Sequence, residues 1–231
     1  MTLPIFRVIP FAALVLSAGP AFAATGEMPT SMAPLAEYMM PAAEEIAVAR
    51  SAAPPAISGS AEVRVLGAHG YEIAVHGTNG FVCLVERAWT SPFDDPGFWG
   101  PQRRAPICFN PAAVKSVLPA HLERTTWALG GLSREEMARR SKSSVAANTP
   151  PAAGAMSYMM SKSQFVSEQD GHWHPHLMFW VSRMPNSAWG ANLEGSPVFA
   201  HSDGIDPVTT FYIPVGKWSD GTPNSMEHHG T

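Results

Sequence analysis

The stretch Tyr71-Glu72-Ile73-Ala74-Val75-His76-Gly77-Thr78-Asn79-Gly80-Phe81-Val82-Cys83-Leu84-Val85-Glu86-Arg87-Ala88-Trp89 decides how this chain is read. In its first six residues Tyr71, Ile73 and Val75 alternate with Glu72, Ala74 and His76. A period of two belongs to a strand with one buried face, whereas an amphipathic helix places apolar residues three and four apart. Thr78-Asn79-Gly80 follows, and Asn-Gly tolerates the positive φ angles of a tight type I′ turn. Phe81 to Trp89 is then a second apolar run rich in β-branched and aromatic side chains. The reading is a β-hairpin turning at Asn79-Gly80, with a further strand before it at Glu62 to Leu66.

Downstream, Ser91 to Pro106 is a loop of prolines, glycines and aromatics, and Ile107 to Phe109 is a short apolar piece. Asn110-Pro111 starts a helix well, with Asn as N-cap and Pro in the first turn. Pro119 divides or restarts that helix, and Gly130-Gly131 stops it. Ser133-Arg134-Glu135-Glu136 is a capping box that opens a second helix. Strand character returns at Ala155 to Met160, His176 to Ser182 and Thr209 to Val215. Helices segregated from strands imply an α+β fold. We expect a single domain with a largely antiparallel sheet, strands in 61–89 and 155–215 flanking two helices near 111–144.

Upstream, residues 1–23 read as a secretory signal peptide. Arg7 precedes the apolar run Val8 to Ala18, Gly19-Pro20 breaks it, and Ala21-Phe22-Ala23 offers a small-x-small cleavage pattern. The eleven-residue run falls short of the ~20 residues of a spanning helix. The expected product is periplasmic or extracellular, begins near Ala24 and has no integral membrane segment. Residues 24–60, rich in Ala, Pro, Met and Ser, read as a low-complexity leader and linker with one helical stretch at Pro41 to Arg50. There Ile46 and Ala47 face one way and Glu44, Glu45 and Arg50 the other. The globular domain is expected over 61–220, with a flexible tail over 221–231.

The 231 residues carry 15 basic and 19 acidic side chains. Residues 1–23 hold one of the basic ones and no acid, so the remaining 208 residues have a net charge of −5. A mildly acidic chain without a Lys/Arg run argues against nucleic acid as partner. A small ligand or an envelope partner is the expectation. An exported chain with two cysteines, Cys83 and Cys108, favours one disulfide over two buried thiols. The missing Cys-x-x-Cys pattern speaks against a redox pair. Closing this loop would contribute about 3–4 kcal/mol in the chain-entropy picture.

Gly77-Thr78-Asn79-Gly80-Phe81-Val82-Cys83-Leu84, Pro106-Ile107-Cys108-Phe109, Ser157-Tyr158-Met159-Met160-Ser161 and Pro175-His176-Leu177-Met178-Phe179 together resemble a family of exported bacterial proteins. The likeness covers roughly residues 61–215. That family carries no assigned activity, so the resemblance implies a single exported domain and no catalytic residues.

The sharpest chemical candidate is Gly171-His172-Trp173-His174-Pro175-His176. Alternate strand residues share a face about 6.5–7 Å apart, so two imidazoles could share Zn or Cu, with His201 and Asp203 adding ligands from a later loop. Pro175 interrupts the alternation, and the competing reading makes His172 and His174 loop residues and His176 a half-buried strand residue. A second candidate is a ligand groove lined by Phe93, Phe98 and Trp99, the alternative being a lid over the sheet. No Gly-x-Ser-x-Gly elbow, Ser-x-x-Lys pair or dinucleotide fingerprint occurs, so no catalytic residue is assigned. The sequence therefore favours a non-enzymatic exported binding domain. The alternative is a metal-dependent hydrolase or oxidoreductase built on His172, His174 and His176.

Overall fold

A computed structural model describes residues 29–166, 171 and 173–225; the signal-peptide reading lies outside them. The fold is α+β, with one eight-stranded, mostly antiparallel sheet in the order β2-β1-β3-β4-β5-β6-β8-β7. The strands are β1 (Glu62–Gly67), β2 (Gly70–Val75), β3 (Val82–Glu86), β4 (Ala105–Phe109), β5 (Met156–Met159), β6 (His176–Ser182), β7 (Phe199–His201) and β8 (Val208–Pro214). The helices are α1 (Ala42–Arg50), α2 (Pro55–Ser58), α3 (Pro111–Ser116), α4 (Leu118–Leu129), α5 (Arg134–Ser141) and α6 (Val145–Asn148). No helix among the described residues is long and apolar enough to cross a membrane.

The hairpin lies one connection earlier than the sequence suggests. β1 and β2 form it, closing at Gly67 and Gly70, whereas β3 pairs with β1 in parallel and does not touch β2's edge. Asn79-Gly80 therefore belongs to a crossover past the start of β1. The Asn79 Oδ1 accepts from Phe81 N at 3.0 Å, and its amide donates to the Ile57 carbonyl at 2.8 Å. Both bonds favour a local Asx turn over a hairpin end. Gly77 is required at this crossing, because a Cβ there would sit 2.1 Å from Glu62 N.

The alternation in β2 also breaks. A register shift between Val63 and Arg64 sends Tyr71 toward the helix side and Val75 toward the opposite face. Ile73 is left exposed on this edge strand.

Each face of the central strands has its own cover. On one, Val82, Leu84, Ile107 and Phe109 pack against Ala113, Val117 and Leu118 of α3 and α4. On the other, Val63, Cys83, Val85 and Cys108 pack against Ala49, Ala52 and Ala53. Cys83 and Cys108 are direct partners across β3 and β4, with their sulfurs at bonding distance, 1.97 Å.

This second cover changes the reading of residues 24–60. Over the described part, they are packed structure rather than a loose leader and linker. Tyr38 is fully buried, its ring 4.8 Å from that of Trp89 and its hydroxyl donating to the Trp99 carbonyl at 2.8 Å. Glu45 is not on a solvent face. It is fully buried and accepts from the Arg87 guanidinium, also fully buried, at 2.9 Å. Arg87 donates further to the Tyr38 and Val85 carbonyls, and Glu45 accepts from Leu66 N. At the other end of the chain, residues expected as tail form a turn, with Lys217 bridged to Pro223 and Asn224 N donating to Gly216 O.

Removing one member of a buried ion pair strands the other charge in the interior, at a cost of about 3–5 kcal/mol. We expect Glu45→Ala to lower stability by that amount in urea unfolding followed by tryptophan fluorescence. The double variant Glu45→Leu/Arg87→Met should lose less than Glu45→Ala alone.

Candidate functional site

Helix α4 carries the features that matter. Asn110 caps α3, its Oδ1 accepting from Ala113 N at 2.9 Å, and the chain restarts as α4 with Pro119 in the first turn. The inward face of α4 runs through Leu118, His121, Arg124, Thr125 and Ala128, all buried. A helix face set against a sheet is normally apolar. Here three of its five positions are polar.

The helices cover β3 and β4 and stop short of β6 and β8. The gap is a cleft of about 150 Å³. Ala120, His121, Arg124 and Trp127 of α4 line one side, with Ser141, Ala146, Ala147 and Thr149 beyond them. Met159, Met178, Trp180, Thr210 and Tyr212 line the sheet side, and Pro92 and Asp203 stand at the loops.

Glu86, the last residue of β3, reaches into this cleft and hydrogen-bonds His121 Nδ1. Both are almost enclosed, Glu86 7% and His121 8% exposed. A carboxylate only accepts, so Nδ1 carries the hydrogen and Nε2 is the ring's other polar atom. The hydrogen bond the ring makes among the described residues is this one, on Nδ1. The ring plane is fixed by edge contacts to Phe109 at 5.4 Å and Trp180 at 5.3 Å between centroids.

One turn along, Arg124 is 6% exposed. Its guanidinium lies 3.8 Å from the centroid of Phe93, and Nη1 donates to the Thr90 carbonyl at 3.2 Å. Asp206 Oδ2 is 3.5 Å from the same nitrogen. The Arg124 Nε and Nη2 are buried and meet no acceptor among the described residues. Burial lowers its pKa, opposed by Asp206, Asp203 and Glu86, yet an arginine stays charged. Burial raises the Asp206 carboxyl above the usual range, partly offset by Arg124. Asp206 is held in place by Asp203, whose Oδ1 accepts from the backbone N–H of Ile205 and Asp206 at 2.8 and 3.0 Å.

The sequence's own candidates fare differently. Phe93, Phe98 and Trp99 do not line the cleft. They are buried together with Leu66, Trp89, Ala128 and Met137, Phe93 and Phe98 stacked 5.6 Å apart, as core under the loop. Nor do the described histidines of the cluster, His174, His176 and His201, come together. His172 lies outside the described residues. β6 starts only at His176, so Pro175 does end the alternation. His174 is exposed and its Nδ1 lies 3.0 Å from the Asn224 amide. His176 Nδ1 donates to the His174 carbonyl at 2.7 Å, and its Nε2 is buried without a partner. His201 is remote from them: it pairs with Thr210 while His176 pairs with Pro214, four residues or about 13 Å along β8. It contacts Asp94 at 3.2 Å, and Asp203 bonds Phe93 N. Among the described residues no three His, Cys, Asp or Glu side chains are grouped to hold a metal ion.

Glu86, His121 and Arg124 escaped the sequence reading. The available signal was the spacing 118, 121, 124, 125, 128, a core-facing period in which His and Arg hold positions that burial alone would give to apolar residues.

Burial holds the His176 pKa below its ordinary value. The unfolded chain then takes up this proton first as pH falls, so the contribution to stability is complete above about pH 6.5 and is lost below it. The slope is at most about 1.4 kcal/mol per pH unit. Urea midpoints measured between about pH 7.5 and 5 should fall more steeply for the native chain than for His176→Asn. Parallel profiles would remove His176 as the cause.

Comparison with protein-family models, with characterised proteins and with solved structures finds no match to this chain.

Proposed function

We propose that this chain is an exported binding domain whose cleft between α4 and strands β6 and β8 takes a small molecule with an apolar, ring-sized body. The observation that supports this most directly is the cleft itself, about 150 Å³ with walls from Trp127, Met178, Trp180 and Tyr212 and one tethered imidazole. An apolar cavity of roughly that size holds a benzene-sized guest. Binding sites of this type combine apolar walls with a few convergent polar groups that fix orientation, and His121 has that place here.

Binding rather than turnover is favoured by two of the hydroxyls that line the cleft. Ser91 Oγ is engaged by Arg103, and Ser116 Oγ donates to the Ala112 carbonyl and accepts from Ala152 N. Neither is hydrogen-bonded to His121 in the arrangement that activates a nucleophile. The reading of residues 1–23 as a signal peptide and the Cys83–Cys108 pairing support an exported setting.

Ala120 lines the cleft without a polar role. Saturation-transfer NMR with benzyl alcohol should give ring signals with the native protein and none with Ala120→Trp, whose indole fills the space. Equal signals from both proteins would place the probe elsewhere and defeat this reading.

A further inference from the structure

The unmet side of Arg124 says what chemical class the cleft takes. A guanidinium offers donors along three edges, and the Nε/Nη2 edge is one that meets a carboxylate with two parallel bonds. In Arg124 the opposite nitrogen, Nη1, is already committed to the Thr90 carbonyl and to Asp206. Among the described residues the Nε and Nη2 donors have no partner, although the residue is 6% exposed and lines the cleft. A buried donor without an acceptor costs about 1–3 kcal/mol, and more on a charged group. Buried donors in folded proteins are almost always met. An acceptor entering the cleft would meet these two.

The surroundings restrict the entrant further. His121 lies one turn before Arg124 on the same face of α4, with Nδ1 on Glu86. Trp180 packs edge-on to His121, and Tyr212 lines the same sheet wall. The Arg104 guanidinium, also in the lining, donates to the carbonyls of Pro101, Arg103 and Glu37, and among the described residues it has no carboxylate partner. Asp206 opposes a second anion, but it sits on Nη1 rather than on the Nε/Nη2 edge.

We infer that the ligand is a small aromatic or alicyclic carboxylate, its acid group on Arg124 Nε and Nη2 and its ring among Trp180, Tyr212 and Met178. The inference rests on the cleft being a ligand site, as proposed above. Benzoate and benzamide have nearly the same shape and differ in charge, so they separate the two claims.

Titration calorimetry near neutral pH should show benzoate binding the native protein at least about tenfold more tightly than benzamide, given the greater strength of charge-assisted pairs. Arg124→Gln should abolish the difference. Arg124→Lys, which keeps the charge and loses the paired donors, should retain part of it. If the two probes bind the native protein equally, the cleft reading stands and the carboxylate is wrong. If neither binds while benzyl alcohol also fails, both readings fall. If Arg124→Gln retains the preference, Arg124 is not its source. Should Arg124→Gln fail to fold, the comparison on native protein and the Arg124→Lys result still decide.

Discussion

The fully buried pair between Glu45 and Arg87 is the constraint on which the arrangement depends. Two charges cannot be taken from water separately; the interior accepts them together. Arg87 meets this through Glu45 and the carbonyls of Tyr38 and Val85, so α1 and the segment before it must close over the end of β3. The pair contributes placement more than net stability. Apolar burial supplies the energy: Trp89 and Tyr38 are completely enclosed beside it, each side chain of this kind contributing about 1.5–3 kcal/mol.

That placement carries to the cleft through one peptide bond. Glu86 precedes Arg87, so the clamp that fixes Arg87 also fixes the carboxylate on His121. On the helix side, Thr125 accepts from the Trp89 indole at 3.0 Å and donates to the His121 carbonyl at 3.0 Å. Strand end and helix are thereby locked to each other around a single imidazole. A polar group so thoroughly supported has little freedom to reorient, which suits a site that must present Nε2 in one direction.

How much of this was legible follows from the range of the interactions involved. The α3–α4 region and β6 were readable because their determinants are local: the Asn110 cap, the Pro119 restart, the Ser133 box and the apolar run after Pro175 act within a few residues. The Asn79-Gly80 turn misled because the same dipeptide serves a hairpin end and an Asx turn, and only the parallel pairing of β1 with β3 decides between them. Glu45 was unreadable for another reason. Nothing near it in the chain marks it as inward, and its partner is 42 residues away. Phe93, Phe98 and Trp99 showed the converse ambiguity, since aromatic side chains serve a core or a groove equally well and sequence does not say which.

The histidines and the arginine illustrate how burial sorts candidate sites. Gly171 to His176 drew notice because histidines are dense there, yet density is not convergence: Pro175 ends the alternation, and His176 spends one nitrogen on its own backbone. His121 and Arg124 are single residues in an unremarkable helix, but they occupy positions where desolvation must be compensated. His121 is compensated on one nitrogen by Glu86; Arg124 is compensated on one edge only. The incomplete compensation is informative because burial costs both residues stability that apolar side chains in the same positions would not. A helix face that bears this cost where the covering layer ends, beside a cleft, is explained more economically by an occupant of the cleft than by the packing of the fold itself.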